Sequence, residues 1–355
     1  MKQLLSFQKV QKPLIFFIIF FPYVTFGIFL SDTSPFYLLL IAFLIFLRSS
    51  YSRLGLLKAA LFVIILLLID FAISTEINIL KFCATVIIAE SCFHYGRLLT
   101  YSISYKLILF LSVVWLFSGL ITLIQPDFFS FLFYRVGYTS EISGAIRGAP
   151  GLTPEPSYYG MASAFLYAFA MQTKINRTGN KSLDLPSLIF GISVLLSLSL
   201  YGLAVLGVLA FKYNRYLSIL SLISGLLVLT YIDTTFARLT LVLAEAIASG
   251  GSSLLEDSSI MYRLSNFILI YEIITTDSSG TSALTSGITV LFANYGLLAF
   301  LLIFLMFLLS SWNNTVLRLS SDIFFLPLVI VMFFIGPLSN PYFWIYLGSS
   351  YSDYR

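Results

Sequence analysis

The chain has 355 residues, of which 59% are hydrophobic and only 10% charged, with a formal net charge of +4 and a mean hydropathy of +0.97. Soluble domains carry about 25% charged residues, so a water-exposed globule is excluded, and no soluble catalytic domain of ordinary size fits between the apolar runs. Basic residues are scattered through short loops rather than gathered on one face, which argues against a nucleic-acid partner.

The apolar runs recur at lengths that cross a hydrocarbon core of ~30 Å, which predicts an all-α polytopic membrane protein. Lys2, Lys9 and Lys12 precede an apolar run from Leu14 to Leu30. No small-residue cleavage site follows it and many more spans do, so it reads as a retained first helix rather than a secretory signal. Spans are expected at about 14–31, 35–47, 59–74, 77–93, 106–124, 157–173, 187–199, 200–211, 216–232, 285–310 and 323–336, with a short apolar piece at 342–351 as a twelfth.

Within these spans, Cys83 and Cys92 are nine positions apart, too far round a helix to pair, and read as packing residues. Asp70, Lys81 and Glu90 lie near span ends, where snorkelling or a structural pair outweighs an ion path. His94, the sole histidine, falls beside Arg97 and reads as a packing residue at headgroup level.

The stretch 186–211 is either one long helix or two short ones broken at Ser197-Leu-Ser-Leu-Tyr-Gly202. Charge sidedness favours the hairpin. With the N-terminus inside, it keeps Arg48 to Lys58, Lys174 to Lys181, and Lys212 with Arg215 in inner loops; a single span would move Lys212 and Arg215 outside. The expected architecture is a single transmembrane domain over 1–355 with about 11–12 helices and two long outer loops, about 125–156 and about 233–284. The basic residues of those loops are Arg135, Arg147, Arg238 and Arg263, with no lysine. Arginine stays protonated and binds phosphate through a planar fork of donors.

In the first outer loop, Phe128 to Phe133 reads as an interfacial segment or as the frayed end of the fifth span. Gly144, Gly148 and Gly151 relax the backbone around Arg147. Pro154 and Pro156 flank Glu155 and fix its backbone at the mouth of the next helix, beside Ser157, Tyr158 and Tyr159. A helix N-terminus of this kind favours anions. In the second loop, Phe236 to Ala248 is amphipathic and Gly250-Gly-Ser-Ser253 breaks it. Asp257 or Ser258 then caps a helix that carries Tyr262, Arg263 and Asn266 within a turn of one another. No pair of histidines or cysteines has metal-ligand spacing and no Asp-x-Asp occurs, so arginine is expected to stand in for metal, with no cofactor.

Four stretches follow one another in a familiar order: Arg147-Gly148 with Gly151 and Glu155-Pro-Ser157, Ser197-Leu-Ser199 with Tyr201-Gly202, Asp257-Ser-Ser259 with Arg263, and Asn294-Tyr-Gly296 at the start of a late span. Over about residues 130–310 the chain resembles the bacterial O-antigen polymerases and their relatives the O-antigen ligases, multispan glycosyltransferases of the GT-C class. Tyr201 stands where that family frequently has an arginine. The ligases' periplasmic histidine has no counterpart, which favours polymerase over ligase.

The resemblance implies a GT-C-like fold in the bacterial inner membrane, with the N-terminus cytoplasmic and the active site periplasmic. The enzyme it implies transfers a glycan from a polyprenyl diphosphate onto a new lipid-linked repeat unit. Membrane lipid, a chain-length regulator and a flippase are the implied partners. On this reading Arg147 and Arg263 take the diphosphate and Glu155 is the general base. Tyr158, Tyr159 and Tyr262 contact sugar or phosphate, and Arg135, Arg238 and Asn266 complete the binding surface. The rival expectations are a lipid-linked oligosaccharide flippase or other transporter, and a structural membrane subunit.

Overall fold

A computed structural model describes residues 22–24, 50–73, 78–133, 148–213, 219, 223, 288–320, 326–330, 332 and 340–351. Among the described residues every regular element is a helix and there is no strand. The expected spans at 14–31, 35–47 and 216–232, and the second outer loop at 233–284, lie almost wholly outside the described residues. The chain forms two compact units. One comprises Met1–Leu40, Arg97–Ala237 and Ser352–Arg355, and the other Ile41–Gly96 and Arg238–Tyr351.

Among the described residues two helices are long and apolar enough to cross a membrane, α1 (Ser50–Ile73) through its stretch Leu54–Phe71 and α3 (Tyr105–Ile124). On α1, Leu54, Leu57, Leu61, Ile64, Leu68 and Phe71 stand exposed at steps of three and four residues, while Leu56, Ala59, Phe62, Val63 and Leu66 are buried. A stripe of large apolar side chains along one helix face is what a lipid-facing helix presents, and it would drive aggregation in water. Phe110, Phe117, Leu120 and Ile124 form a similar exposed set on α3.

Helices outrun the apolar windows that announce them. α1 takes in Arg53 and Lys58 ahead of the expected span 59–74, and α2 (Asn78–Ser102) continues past the expected end at 93 through His94 and Arg97. Hydropathy marks the hydrocarbon, whereas backbone hydrogen bonding continues into the interface.

In the second unit, α7 (Thr289–Tyr295) and α8 (Leu298–Leu309) divide the expected span 285–310 at Gly296, whose φ of +54° is cheap only for glycine. α9 (Asn313–Ser320) then bends away from α8 by 108°. The pair α8 and α9 is a third candidate span if counted together. A short helix α10 (Leu326–Ile330) precedes α11 (Pro341–Ser350). The ten residues of α11 are buried throughout. At about 1.5 Å per residue they reach only half of the hydrocarbon thickness. Asn340 caps α11 by accepting from the Tyr342 and Phe343 amides at 3.0 and 3.4 Å, and Arg318 of α9 donates to the Ser350 carbonyl at 3.0 Å.

Asp70 and Glu90 sit at these breaks. The Tyr295 hydroxyl donates to Asp70 Oδ1 at 2.9 Å, next to Gly296. Glu90 Oε1 pairs with His94 Nε2 at 3.0 Å, and Glu90 Oε2 accepts from the Ser311 amide at 3.2 Å, between α8 and α9. Glu90 and His94 are 1% and 6% exposed, so each is sheltered and partnered rather than snorkelling. Cys83 and Cys92 are buried and unbridged.

Gly55 of α1 closes this cluster. A β-carbon there would stand 2.3 Å from His94 Nε2, 2.5 Å from Ser311 Oγ and 2.6 Å from Glu90 Oε1. Gly55→Ala is therefore expected to open the acid–histidine pair and cost about 1–3 kcal/mol. A lowered melting temperature of the purified protein checks it, and unchanged melting would contradict it.

The first unit is organised on α4 (Pro156–Thr178), buried from Tyr159 to Thr173. Gly179, with φ of +67°, ends it. Its Arg177 donates to the carbonyls of Thr100 and Ile103, which fastens the last turn of α2. Asp184 caps the next helix by accepting from the Ser187 amide at 3.1 Å. The stretch 186–211 then divides into α5 (Leu185–Leu196) and α6 (Leu200–Tyr213).

Their contacts set the directions. α5 starts beside the C-terminal half of α4, where Lys174 holds Ser182, and ends with Leu196 bonded to Ala149 ahead of α4. α6 starts with Gly202 against Gly160 and ends with the Tyr213 hydroxyl donating to Gln172 at 2.9 Å. So α5 runs antiparallel to α4, α6 runs parallel to it, and the two make a hairpin. Each arm is about 18–21 Å long, too short to cross the hydrocarbon alone.

Candidate functional site

Pro126 ends α3 one residue after its cap at Gln125, and a separate 3-10 turn forms at Ser130–Leu132. Phe128 and Phe131 are exposed there while Leu132 and Phe133 are buried. The segment is thus not a continuation of the fifth span.

From Gly148 the loop is pinned at both flanks. The Ala149 amide donates to the Leu196 carbonyl at 2.9 Å, and the Gly151 amide donates to Thr122 Oγ1 at 2.9 Å. A β-carbon on Gly148 would meet the Ser197 carbonyl oxygen at 1.9 Å, so the loop backbone lies directly on the hairpin tip. Gly151 adopts φ of +56°, and a β-carbon there would strike the Tyr159 ring at 2.3 Å. Thr153 Oγ1 donates to the carbonyls of Pro150 and Glu155 at 2.7 and 2.8 Å, tightening the turn into α4.

Glu155 is the N-cap residue of α4, in extended conformation, with Pro156 at the first helical position. Its carboxylate makes no cap bond to the helix and instead accepts from Ser157 Oγ at 3.3 Å. The pinned glutamate read from its two prolines is therefore held at the mouth of the helix with its carboxylate only partly buried. Tyr158 is also partly exposed, its ring edge-on to Tyr23 at 5.5 Å.

Tyr159 faces the other way. It is fully buried, stacks on Trp115 at 5.3 Å and donates its hydroxyl to the Trp115 carbonyl at 2.7 Å. The Trp115 indole donates to Ser163 Oγ at 2.7 Å, and Ser163 donates to the Tyr159 carbonyl at 2.7 Å. Tyr159 thus locks α4 to α3 below the loop. Trp115 and Thr122 were not singled out in the sequence, although Ser118 and Thr122, one turn apart in an apolar helix, mark an inward face.

The hairpin tip completes the floor. Ser199 Oγ accepts from the Gly202 amide at 3.2 Å and caps α6, and Ser197 Oγ accepts from the Ser199 amide at 3.2 Å. Between the two serines, Leu198 has φ of +46°, the one described residue other than glycine with a positive φ. That conformation costs a leucine roughly 1–2 kcal/mol. Gly160 and Gly202 then let α4 and α6 touch backbone to backbone: a β-carbon on Gly202 would lie 2.7 Å from the Gly160 α-carbon.

Two parallel helices therefore start side by side beneath one glycine-lined loop. Their aligned N-termini place partial positive charge at one spot, which suits a phosphate or other anion. Of the residues expected to act there, Glu155 and Tyr158 line the mouth and Tyr159 underlies it. Arg135, Arg147, Arg238, Tyr262, Arg263 and Asn266 lie outside the described residues, Arg147 immediately before Gly148 in sequence. Among the described residues no three His, Cys, Asp or Glu side chains gather around a common point.

The arrangement belongs to the class of helical proteins with membrane-crossing helices. Beyond that class, no family model, no curated protein and no solved structure matches the chain.

Proposed function

We propose that the protein is a metal-independent glycosyltransferase that polymerises polyprenyl-diphosphate-linked oligosaccharide repeat units into O-antigen or a similar surface polysaccharide. The observation that carries the reading is the joint start of α4 and α6 under the Gly148–Glu155 loop, with a carboxylate at the mouth and an arginine next to the loop in sequence. In this proposal the fold is GT-C-like with about 11–12 spans in the bacterial inner membrane. The N-terminus is cytoplasmic and the site periplasmic.

The acceptor hydroxyl of a new repeat unit attacks the anomeric carbon of the growing glycan. The bond from that carbon to the diphosphate oxygen breaks, and polyprenyl diphosphate leaves with the bonding electrons. Glu155 takes the hydroxyl proton, and Tyr158 contacts the sugar beside it. Arg147 and Arg263 neutralise the leaving diphosphate, with Arg135, Arg238, Tyr262 and Asn266 along the substrate path. Tyr159 acts through the fold by holding Gly151 and α4 in place. Fixed charges in a low-dielectric site are worth about 3–4 kcal/mol per contact in such a transition state.

Purified protein in lipid discs, supplied with the diphosphate-linked repeat unit of its host, should build a ladder of oligomers. Glu155→Gln should lower that rate about 100-fold or more, as loss of a general base does, with melting unchanged. A fully active Glu155→Gln would leave the glutamate as a brace for the loop. A lipid-linked oligosaccharide transporter is the second reading. It is favoured by the helix breaks beside Asp70 and Glu90, since transporters place charged groups at interrupted helices.

A further inference from the structure

We infer that Glu90 and His94 of α2 form a proton-binding site, and that taking up a proton there loosens the corner between α8 and α9. The site lies in the second unit and involves none of the residues assigned to glycosyl transfer.

The two side chains stand one helical turn apart on the same face, with Glu90 Oε1 and His94 Nε2 at 3.0 Å. That contact holds two protonation states. A neutral imidazole donates from Nε2 to the carboxylate, and an imidazolium does the same with a further proton on Nδ1. The pair carries a net negative charge in the first state and none in the second. Nδ1 has no hydrogen-bond partner among the described residues, and the ring keeps 6% of its surface exposed, so the added proton has a place to bind and a way in.

The surroundings leave the charge of the pair to that proton. Among the described residues the ion-pair partner of Glu90 is His94 alone. On α2 the ionisable neighbours are Cys92 and Tyr95, both buried, and Arg97, which is half-exposed. α1 faces the pair with Gly55. Its Arg53, two residues before, belongs to another face of the helix, its Lys58 is exposed, and its Asp70 lies about 22 Å further along. The corner brings Ser311, and Arg318 of α9 is engaged with the Ser350 carbonyl. α11 meets α2 at Gly96 through Ile345 and has only Tyr342 and Tyr346 as titratable groups, with Tyr351 edge-on to Phe93 just beyond it. A buried net charge without a fixed counter-ion is costly, and histidine is the side chain whose charge ordinarily changes between about pH 5 and 8.

Coupling to the fold runs through the second carboxylate oxygen. Glu90 Oε2 accepts from the Ser311 amide at 3.2 Å, where α9 turns away from α8 by 108°. Hydrogen bonds to an ionised acceptor are the strong ones. An imidazolium draws the carboxylate's charge toward Oε1, which weakens the hold of Oε2 on Ser311. Trp312, the next residue, packs against Phe307 of α8 and Trp344 of α11, each at 5.0 Å, so a change at Ser311 reaches both helices.

The test uses the full chain in lipid discs, prepared without a histidine tag. His94 is the sole histidine, so isotope labelling of histidine gives one imidazole to follow by NMR. Fluorotryptophan gives three fluorine signals, assigned by Trp115→Phe, Trp312→Phe and Trp344→Phe. Between about pH 8 and 5, the imidazole should pass from its neutral to its protonated limit. The Trp312 signal should move with the same midpoint while the Trp115 signal stays in place. In Glu90→Gln and in His94→Asn the Trp312 signal should no longer follow pH.

An imidazole in one protonation state throughout that range would overturn the inference. So would a His94 that gains its proton while the Trp312 signal ignores it, since the pair would then be a packing contact without coupling. Both outcomes are read on the wild-type protein and hold even where a variant fails to fold. A Trp312 response that persists in His94→Asn would place the proton elsewhere and overturn it as well. No substrate enters these measurements, so they stand or fall apart from the polymerase assay.

Discussion

Gly202→Leu should leave almost no folded protein in the membrane, whereas Gly191→Ala, eleven residues earlier in the same hairpin, should be neutral or stabilising. At Gly202 a β-carbon meets the Gly160 α-carbon at 2.7 Å and its carbonyl carbon at 2.8 Å. Both are helix backbone, so neither rotates away, and α4 and α6 must separate. Separation also carries off the Ser199 cap, the hairpin tip and the loop resting on it. Overpacking at a flexible side chain costs about 1–3 kcal/mol; against backbone the cost is expected at about 3 kcal/mol or more, in the range where membrane proteins fail to accumulate. At Gly191 nothing lies within 4 Å of the added carbon. There alanine's better helix propensity is worth up to about 1 kcal/mol. Melting curves with immunoblots of membrane fractions measure both, and a well-folded Gly202→Leu would disprove the helix crossing.

Arg147→Ala and Arg263→Ala should each abolish long glycan chains while protein levels stay at wild type. The proposed leaving group carries dense negative charge, and removing one fixed partner in a low-dielectric site is worth about 100- to 1,000-fold in rate. Arginine grips phosphate with two parallel donors where lysine offers a point charge. Arg147→Lys is accordingly expected to retain only a small part of the activity. Full activity in Arg147→Lys would contradict the bidentate contact, and long chains in Arg263→Ala would remove that residue from the site.

Much of this architecture is written in one-dimensional signals. Apolar runs locate α1 and α3, and the lysines and arginines flanking 186–211 favour two short helices over one when Lys212 and Arg215 are expected on the same side as Lys174 to Lys181. Prolines 154 and 156 announce a glutamate fixed at a helix start, and Glu155 is the cap of α4. What the sequence hides depends on partners far along the chain. Gly160, Gly191 and Gly202 look alike as letters, and only the helix crossing separates the first and third from the second.

Tyr158 and Tyr159 are adjacent and chemically identical, yet the rotation of about 100° between neighbouring helix residues gives one to the mouth and the other to Trp115. The helix α9 is eight residues long, with too few turns to show a period, and its 108° bend is held by Glu90 from another helix. The left-handed turn at Leu198 has no sequence signal, since the residues that favour it are glycine and asparagine.

The central claim is polymerisation of a lipid-linked repeat unit, and it is tested most directly in cells. Surface polysaccharide from cells lacking the protein is separated by size on a gel. The account predicts that the carrier or core bears a single repeat unit. Wild-type protein should restore a full ladder, and Arg263→Ala should not. Loss of every repeat unit from the surface would assign the protein to transport or ligation instead, and a normal ladder in its absence would contradict the account outright.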